Sequence, residues 1–396
     1  MNGFFGDVLI SAEQSQKLRE GIEGGRNVYC KGLFLSARWF VVAQCAGDGV
    51  QLVVLPDREK AEYCAADLYQ IVQDDIVFFL PDSGKGVERS NYKSSLSVQR
   101  TAAVGKLMQW SSGNGPLYLV TYPEALEEQV PASSFIRQNI LRLEKGMEIP
   151  FDTIKEKLSG QGFERVDFVS APGQYAVRGS IIDVFSYAYN DPYRISFFGN
   201  EVESIHLFDC NTQLSKQDCD VADIYPDLDN SPQEELTSLT AFLPEGTVVW
   251  ADAADLYMER PFYGELDRFV HVFLDKPLPQ SQAEVVTFHI APQPVFRKNF
   301  EMLAADIRRH QEYGYTVFLL SERMSQVERY KSIFEQSTGV MPSFICGKNI
   351  HEGFIDHDAK ICCYTDHEVF DRFHRVKIRR TVEKKAGGES ILHHVV

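Results

Sequence analysis

Three arginines, Arg165, Arg178 and Arg194, lie within or beside strand-like runs of a single stretch, 162–209. A guanidinium is a planar, multi-donor group that matches carboxylates and phosphates, and Gly179 after Arg178 allows close approach of the backbone. Two chemistries fit. The arginines pair with Asp183, Glu201 or Glu203 on a solvated sheet face, or they make planar, multi-donor contacts with carboxylates or phosphates from outside the sheet. The pattern by itself leaves both open.

A second place for chemistry is 32–39, just after the first predicted strand, where an α/β domain sets a phosphate loop. A working loop reads G-x-x-x-x-G-K-[ST]: glycines so that amides cradle phosphates, Lys for the terminal phosphates, a hydroxyl for Mg²⁺. Setting Gly32 at the first glycine gives Leu35 the place of the second small residue, beside Ser36, with Arg38 at the lysine and Trp39 at the hydroxyl. An indole cannot ligate Mg²⁺. The loop reads as degenerate, and no replacement occurs along the chain. Two smaller constellations read as structural. Ser321-Glu322-Arg323 follows a strand with no His or acid fixed nearby, and Asp366-His367-Glu368 reads as a strand-to-helix cap before a metal or acid–base site.

The elements that must position these groups follow from periodicity. In the arginine stretch, 180–185 and 193–198 are rich in β-branched and aromatic residues, and 201–208 alternates. Gly199-Asn200 suits a two-residue hairpin turn, so a small antiparallel sheet is expected, entered through a helix over 151–160 with Asp152 as its N-cap. Before it, strands at 27–29, 50–55, 76–79 and 117–121 alternate with helices at 11–24, 40–45, 59–72 and 97–109, which predicts an open parallel α/β domain. The Ser-rich 82–97 reads as a long loop with scattered Lys85, Arg89 and Lys93. After the arginine sheet, 237–243 reads as helix and 247–250 as a strand rejoining the parallel sheet. A second α/β unit is expected from a strand at 285–288, helices at 296–312 and 325–335, and strands at 316–320 and 361–364.

A chain of 396 residues is too long for one core and implies several domains. Its net charge of −16 offers no overall basic surface to displace counterions from nucleic acid, which turns the expectation toward protein partners. No apolar run would span a bilayer, and the start lacks a signal-peptide pattern, so a cytoplasmic protein without membrane contact is expected. None of the eight cysteines forms a CxxC pair, and most sit in apolar segments, where a thiol is a small hydrophobe. Neither metal nor disulfide is expected.

GQYAVRGSIIDVF, then DPYRISFFGNEVESIHLFD and Thr212-Gln213, resembles the second domain shared by the excision-repair protein UvrB and the bacterial transcription-repair coupling factors. In that family this domain docks onto UvrA, the damage-recognition ATPase. The resemblance implies a degenerate helicase-like (P-loop-type) parallel-sheet domain over 1–130 and 220–278, interrupted by a small mixed α+β UvrA-binding domain at 131–219. A third α/β domain at 279–380 and a linker at 381–396 follow. The run Tyr364 to Phe370 is similar to the one that closes the coupling factors' third domain. The degenerate loop matches a coupling factor and departs from UvrB, whose loop is intact.

For function, the resemblance implies the N-terminal, UvrA-recruiting part of a coupling factor, with Arg165, Arg178 and Arg194 as anchors and Phe185 as an apolar neighbour. No catalysis and no cofactor are expected in this piece. ATP, Mg²⁺, RNA polymerase and double-stranded DNA would belong to a motor and a polymerase-binding module outside it, and family members suggest a monomer. The other reading, a UvrB-like ATP-dependent helicase, needs the P-loop Lys and Thr that Arg38 and Trp39 replace. A third, a binding module for nucleic acid, has only the basic run 372–385 in its favour.

Overall fold

The computed structural model describes residues 10–72, 76–84, 90–189, 191–230, 235–278, 281–337 and 340–372. They form two compact units: one from 10–81, 110–128 and 240–372, the other from 82–109 and 129–239.

The first unit holds a seven-stranded sheet in the order Glu284–Thr287, Val28–Lys31, Val270–Phe273, Val248–Ala251, Val50–Val54, Leu117–Thr121, Val77–Phe79. Every neighbouring pair is parallel. Parallel strands buried on both faces need continuous apolar runs. Val50–Val54 and Val248–Ala251 are buried at every position. The one polar residue in the first run, Gln51, accepts a hydrogen bond from Trp250 Nε1 at 2.9 Å. The helices Ala12–Glu23, Ala37–Cys45 and Arg58–Ile71 connect or flank these strands. Asp57 caps the third of them by accepting from the Lys60 amide.

In the same unit, a five-stranded sheet runs Ile290–Pro292, Phe354–Asp356, Ile361–Thr365, Thr316–Ser321, Ser343–Cys346. Its first two pairings are antiparallel and the rest parallel. Helices Phe300–Glu312 and Met324–Ser337 accompany it. A shared apolar core joins both sheets, with Phe40 edge-on to Phe354 at 5.6 Å.

The second unit is built on a six-stranded sheet: Ser215–Cys219, Glu201–Phe208, Tyr193–Phe198, Ile181–Val184, Gln174–Arg178, Glu164–Arg165. All pairings are antiparallel except the last. Gly199 makes the expected hairpin turn at φ 64°. Helix Phe151–Gly160 buries Ile154 and Leu158 in a core with Tyr175, Ile182, Val184, Tyr193 and Ile195. Strands Leu141–Glu144 and Val221–Ile224 pair antiparallel and add to that core. Helix Ser90–Gln109 also belongs here, anchored by Arg100, which ion-pairs with Asp229 at 3.0 Å.

Several expectations are corrected. The strand expected to open the last α/β unit, Glu284–Thr287, instead pairs in parallel with Val28–Lys31 at the edge of the first sheet. Strand pairing is long-range, and the run's local pattern suits either sheet. The segment expected as helix 237–243 holds a short strand, Leu236–Thr237, paired with Val130–Pro131, and then a 3-10 turn, Leu239–Phe242. Helix Ser90–Gln109 starts seven residues earlier than expected, which shortens the loop; Lys85 and Arg89 lie outside the described residues, as does the side chain of Lys93. Helix Phe151–Gly160 is led by Pro150, whose fixed φ suits a helix start, and Asp152 stands in the first turn. The basic run and linker after 372, with His393 and His394, also lie outside the described residues.

Candidate docking face and degenerate phosphate loop

The six-stranded sheet has two unlike faces because side chains alternate along each strand. Tyr175, Ile182, Val184, Tyr193 and Ile195 point into the core. Their neighbours Ala176, Asp183, Arg194, His206 and Asp218 lie opposite one another across five strands and so share the other face. On that face Asp183 is the hub. Arg194 clasps it with two hydrogen bonds, Nε to Oδ1 at 2.8 Å and Nη2 to Oδ2 at 2.9 Å. Arg178 donates to the same Oδ2 through Nη2. From its far side Arg194 donates to the Gln213 carbonyl at 3.2 Å and to Gln213 Oε1 at 3.1 Å. The hydrogen bond to Asp183 holds the Arg194 guanidinium above its ordinary range.

The face has an apolar floor. Phe185 and Phe208 are fully buried with Val169, Ala176 and Cys210. Arg194 lies over the Phe208 ring at 4.2 Å, and Arg178 over Phe168 at 5.1 Å. Phe168 is 55% exposed and Phe198, at the end of its strand, 78% exposed.

The structure therefore brings Arg178 and Arg194 together on Asp183, while Glu201 and Glu203 make no ion pair with them. Asp183 is buried, so the pairing is no loose surface bridge. Arg165 stands apart, exposed on strand Glu164–Arg165, with no ion pair among the described residues. Phe185, expected as an apolar contact for a partner, does not reach the surface and supports the face from beneath. Sequence reading missed Phe168 and Phe198. The signal for Phe198 was the doubled Phe197-Phe198, because only one of two adjacent strand residues can face the core.

In the first unit, the turn between Val28–Lys31 and Ala37–Cys45 runs through Gly32 at φ 77° and Leu35 at φ 58°. A Cβ on Gly32 would strike the Phe288 carbonyl oxygen. Ala37, directly before Arg38, holds the place of the second small residue that the sequence reading gave to Leu35, and it opens the helix. The chain's own groups occupy this turn. Arg38 Nη1 ion-pairs with Asp252 Oδ2 at 2.7 Å and stacks on Trp39, itself nearly buried in the core. Ser36 Oγ donates to Asp67 Oδ2 at 2.5 Å and accepts from the Glu352 amide at 2.9 Å. The other Asp67 oxygen accepts from the His351 amide at 2.8 Å, and the His351 ring stacks on Tyr63. Burial pushes the Asp67 carboxyl up to about 7, against the two hydrogen bonds that favour its ionised form.

The remaining constellations are joints. Ser321 Oγ, expected to have no acid near it, donates to Asp366 Oδ2 at 2.8 Å; both groups are buried. Glu368 accepts from the Gly353 amide at 2.5 Å and from Thr365 Oγ1 at 2.6 Å. His367 Nε2 lies 3.0 Å from the His351 carbonyl, and burial lowers its pKa. Among the described residues no group of His, Cys, Asp and Glu is arranged to hold a metal ion, and no helix is long and apolar enough to cross a membrane.

Residues 141–229, which contain the whole arginine face, match the family model of the UvrB interaction domain. Curated proteins point the same way. The chain is 30% identical over 108 residues to the transcription-repair-coupling factor of Escherichia coli K12, covering 27% of this chain and 9% of that protein. The chain is a relative of the transcription-repair-coupling factors. To that of Bacillus subtilis 168 it is 28% identical over 196 residues, 49% of this chain and 16% of the relative. To that of Staphylococcus aureus USA300 it is 28% identical over 234 residues, 58% of this chain and 20% of the relative. The matched stretches thus span at most a fifth of these coupling factors.

Proposed function

We propose that this chain is the UvrA-recruiting part of a transcription-repair coupling factor, and that the arginine face of its six-stranded sheet is the docking surface. One observation carries the reading: within the stretch matching the UvrB interaction domain, Arg178 and Arg194 are held on a single buried carboxylate beside an exposed Phe168. Two cations to one anion leave the cluster with net positive charge, and guanidinium groups beside aromatic rings are the common anchors of protein interfaces. An acidic or carbonyl-rich surface on UvrA complements it.

The parallel-sheet domain is a helicase-like relic. The chain hydrolyses no ATP and needs no cofactor, because Arg38 stands at the lysine position and is paired with Asp252. Polymerase displacement and DNA translocation driven by ATP and Mg²⁺ are assigned to parts of the full-length factor outside this chain. The UvrB-like helicase reading keeps Gly32 and Ala37 in its favour but lacks the lysine and the hydroxyl that would meet nucleotide and Mg²⁺.

The test is a titration of the chain against purified UvrA beside Arg178→Ala and Arg194→Ala. Saturable binding that either substitution weakens at least about tenfold, or about 1.4 kcal/mol, supports docking. A folded chain that does not bind at tens of micromolar rules it out.

A further inference from the structure

We propose that Asp183 is the positioning residue of the docking face: it fixes Arg178 and Arg194 in one fork and so sets their affinity for the partner. The inference rests on the docking reading above. Asp183 is 1% exposed, so it is itself inaccessible to a partner. Both of its oxygens are engaged, Oδ1 by Arg194 Nε and Oδ2 by Arg194 Nη2 and Arg178 Nη2. The Arg194 fork meets both carboxylate oxygens, and its guanidinium lies over the Phe208 ring. Gln213, in a turn residue of φ 61°, takes two of its remaining donors. Arg178 gives one nitrogen to Asp183 and is 38% exposed, so its guanidinium has donors left for a second carboxylate.

The register explains how the sequence builds this. Ala176, Asp183 and Arg194 are directly opposed on three adjacent strands, and Arg178 lies two residues along from Ala176 on the same face. A methyl group beside Asp183 leaves room for the two long side chains to fold over the carboxylate. Arginine is rotamer-rich, and an unrestrained one loses that freedom on binding. A carboxylate beneath the pair removes that freedom before the partner arrives, at the cost of cancelling one positive charge.

These two consequences have opposite signs, which makes the role testable. Asp183→Asn keeps the size of the side chain, loses its charge and raises the net charge of the face by one. If only charge governs docking to an acidic surface, this variant binds UvrA more tightly. If Asp183 acts by positioning, it binds at least tenfold more weakly despite the added charge. Gln213→Ala serves as a second variant: it removes the side-chain acceptor of Arg194 and keeps the backbone one, without changing net charge, and a several-fold loss is expected. Should Asp183→Asn fail to fold, that loss alone decides.

The independent readout is exchange of the Arg194 Nε proton followed by NMR, which needs no partner. It is slow in the wild type and at least tenfold faster in Asp183→Asn. Equal or tighter UvrA binding by a folded Asp183→Asn, or unchanged exchange, overturns the role of Asp183 and leaves docking intact. Absence of binding by the wild type removes the docking reading itself, and this role with it.

Discussion

Arg38 and Asp252 are 214 positions apart in the sequence and meet in an ion pair of 2.7 Å. Arg38 follows the turn after Val28–Lys31, and Asp252 follows the strand Val248–Ala251 of the same parallel sheet. In such sheets, ligands bind outside the carboxyl ends of the strands. Here the cation and anion at that edge satisfy each other.

The pair has a measurable signature. The side chains are only 18% and 8% exposed, so removing one partner leaves a mostly buried charge uncompensated. Arg38→Ala should lower stability by about 3 kcal/mol. The double variant Arg38→Ala/Asp252→Ala should recover part of that loss in urea melts, because contacting partners are not additive. Equal losses in single and double variants would show that packing on Trp39 is the dominant role of Arg38. Arg38→Lys with Trp39→Thr should not confer binding of a fluorescent ATP analogue, because Ser36 and Asp67 remain bonded to the 351–352 amides.

Asp67 gives the turn after Val28–Lys31 a pH dependence. Its folded pKa, about 7, lies above the ordinary 3.8 chiefly through burial. Nearby Glu352 pushes it the same way, while Arg38, the Ser36 hydroxyl and the His351 amide oppose. The carboxyl is better tolerated protonated, so its contribution is fully present below about pH 4 and is lost as pH rises through 7. Other buried groups titrate too, so the comparison is with Asp67→Asn, which lacks the titration. Relative to that variant, the wild-type melting temperature should rise by on the order of 3 °C between pH 7.5 and 5. A constant difference across that range would mean the carboxyl does not titrate there.

The thiols form a separate test. All eight cysteines are free, and only Cys219 and Cys346 are partly exposed. Burial raises Cys45 to about 12 and drives Cys30 and Cys64 well above the ordinary range, and thiols kept protonated are poor nucleophiles. A thiol reagent at pH 8 should label Cys219 and Cys346 rapidly and the other six only with denaturant. Mass-spectrometric mapping that finds Cys30 or Cys64 labelled at native rates would mean the sheet core opens.

What the sequence carried was local. The hairpin at Gly199-Asn200 and the strands flanking it were readable because alternation and a positive-φ residue act over a few positions. The parallel strands Val50–Val54 and Leu117–Thr121 were readable as apolar runs. The edge strand Glu284–Thr287 went to the wrong sheet because its partner, Val28–Lys31, lies more than 250 residues earlier. Arg178, Arg194 and Asp183 were all visible, but the burial of Asp183 was not: a lone Asp in a strand suits either face until cross-strand neighbours are known. Asp366 beside Ser321 was hidden for the same reason, since 45 residues separate them.

Two phenylalanines separate the surface of the arginine face from its support. Phe185 is fully buried with Phe208, Val169 and Cys210, so Phe185→Ala should destabilise its unit by about 3 kcal/mol through lost burial and the cavity left behind. Whatever binding it loses should return at a temperature or osmolyte concentration that restores the fold. Phe168 is 55% exposed and touches Arg178 with its ring. Phe168→Ala should change stability by less than about 0.5 kcal/mol, yet weaken docking to UvrA about tenfold, because exposed aromatics beside arginine anchors contribute most when a partner covers them. Thermal melts and UvrA titrations on both variants check the pair. A stable Phe185→Ala that binds poorly would put Phe185 at the interface after all, and a Phe168→Ala chain binding like wild type would move the contact surface away from Arg178.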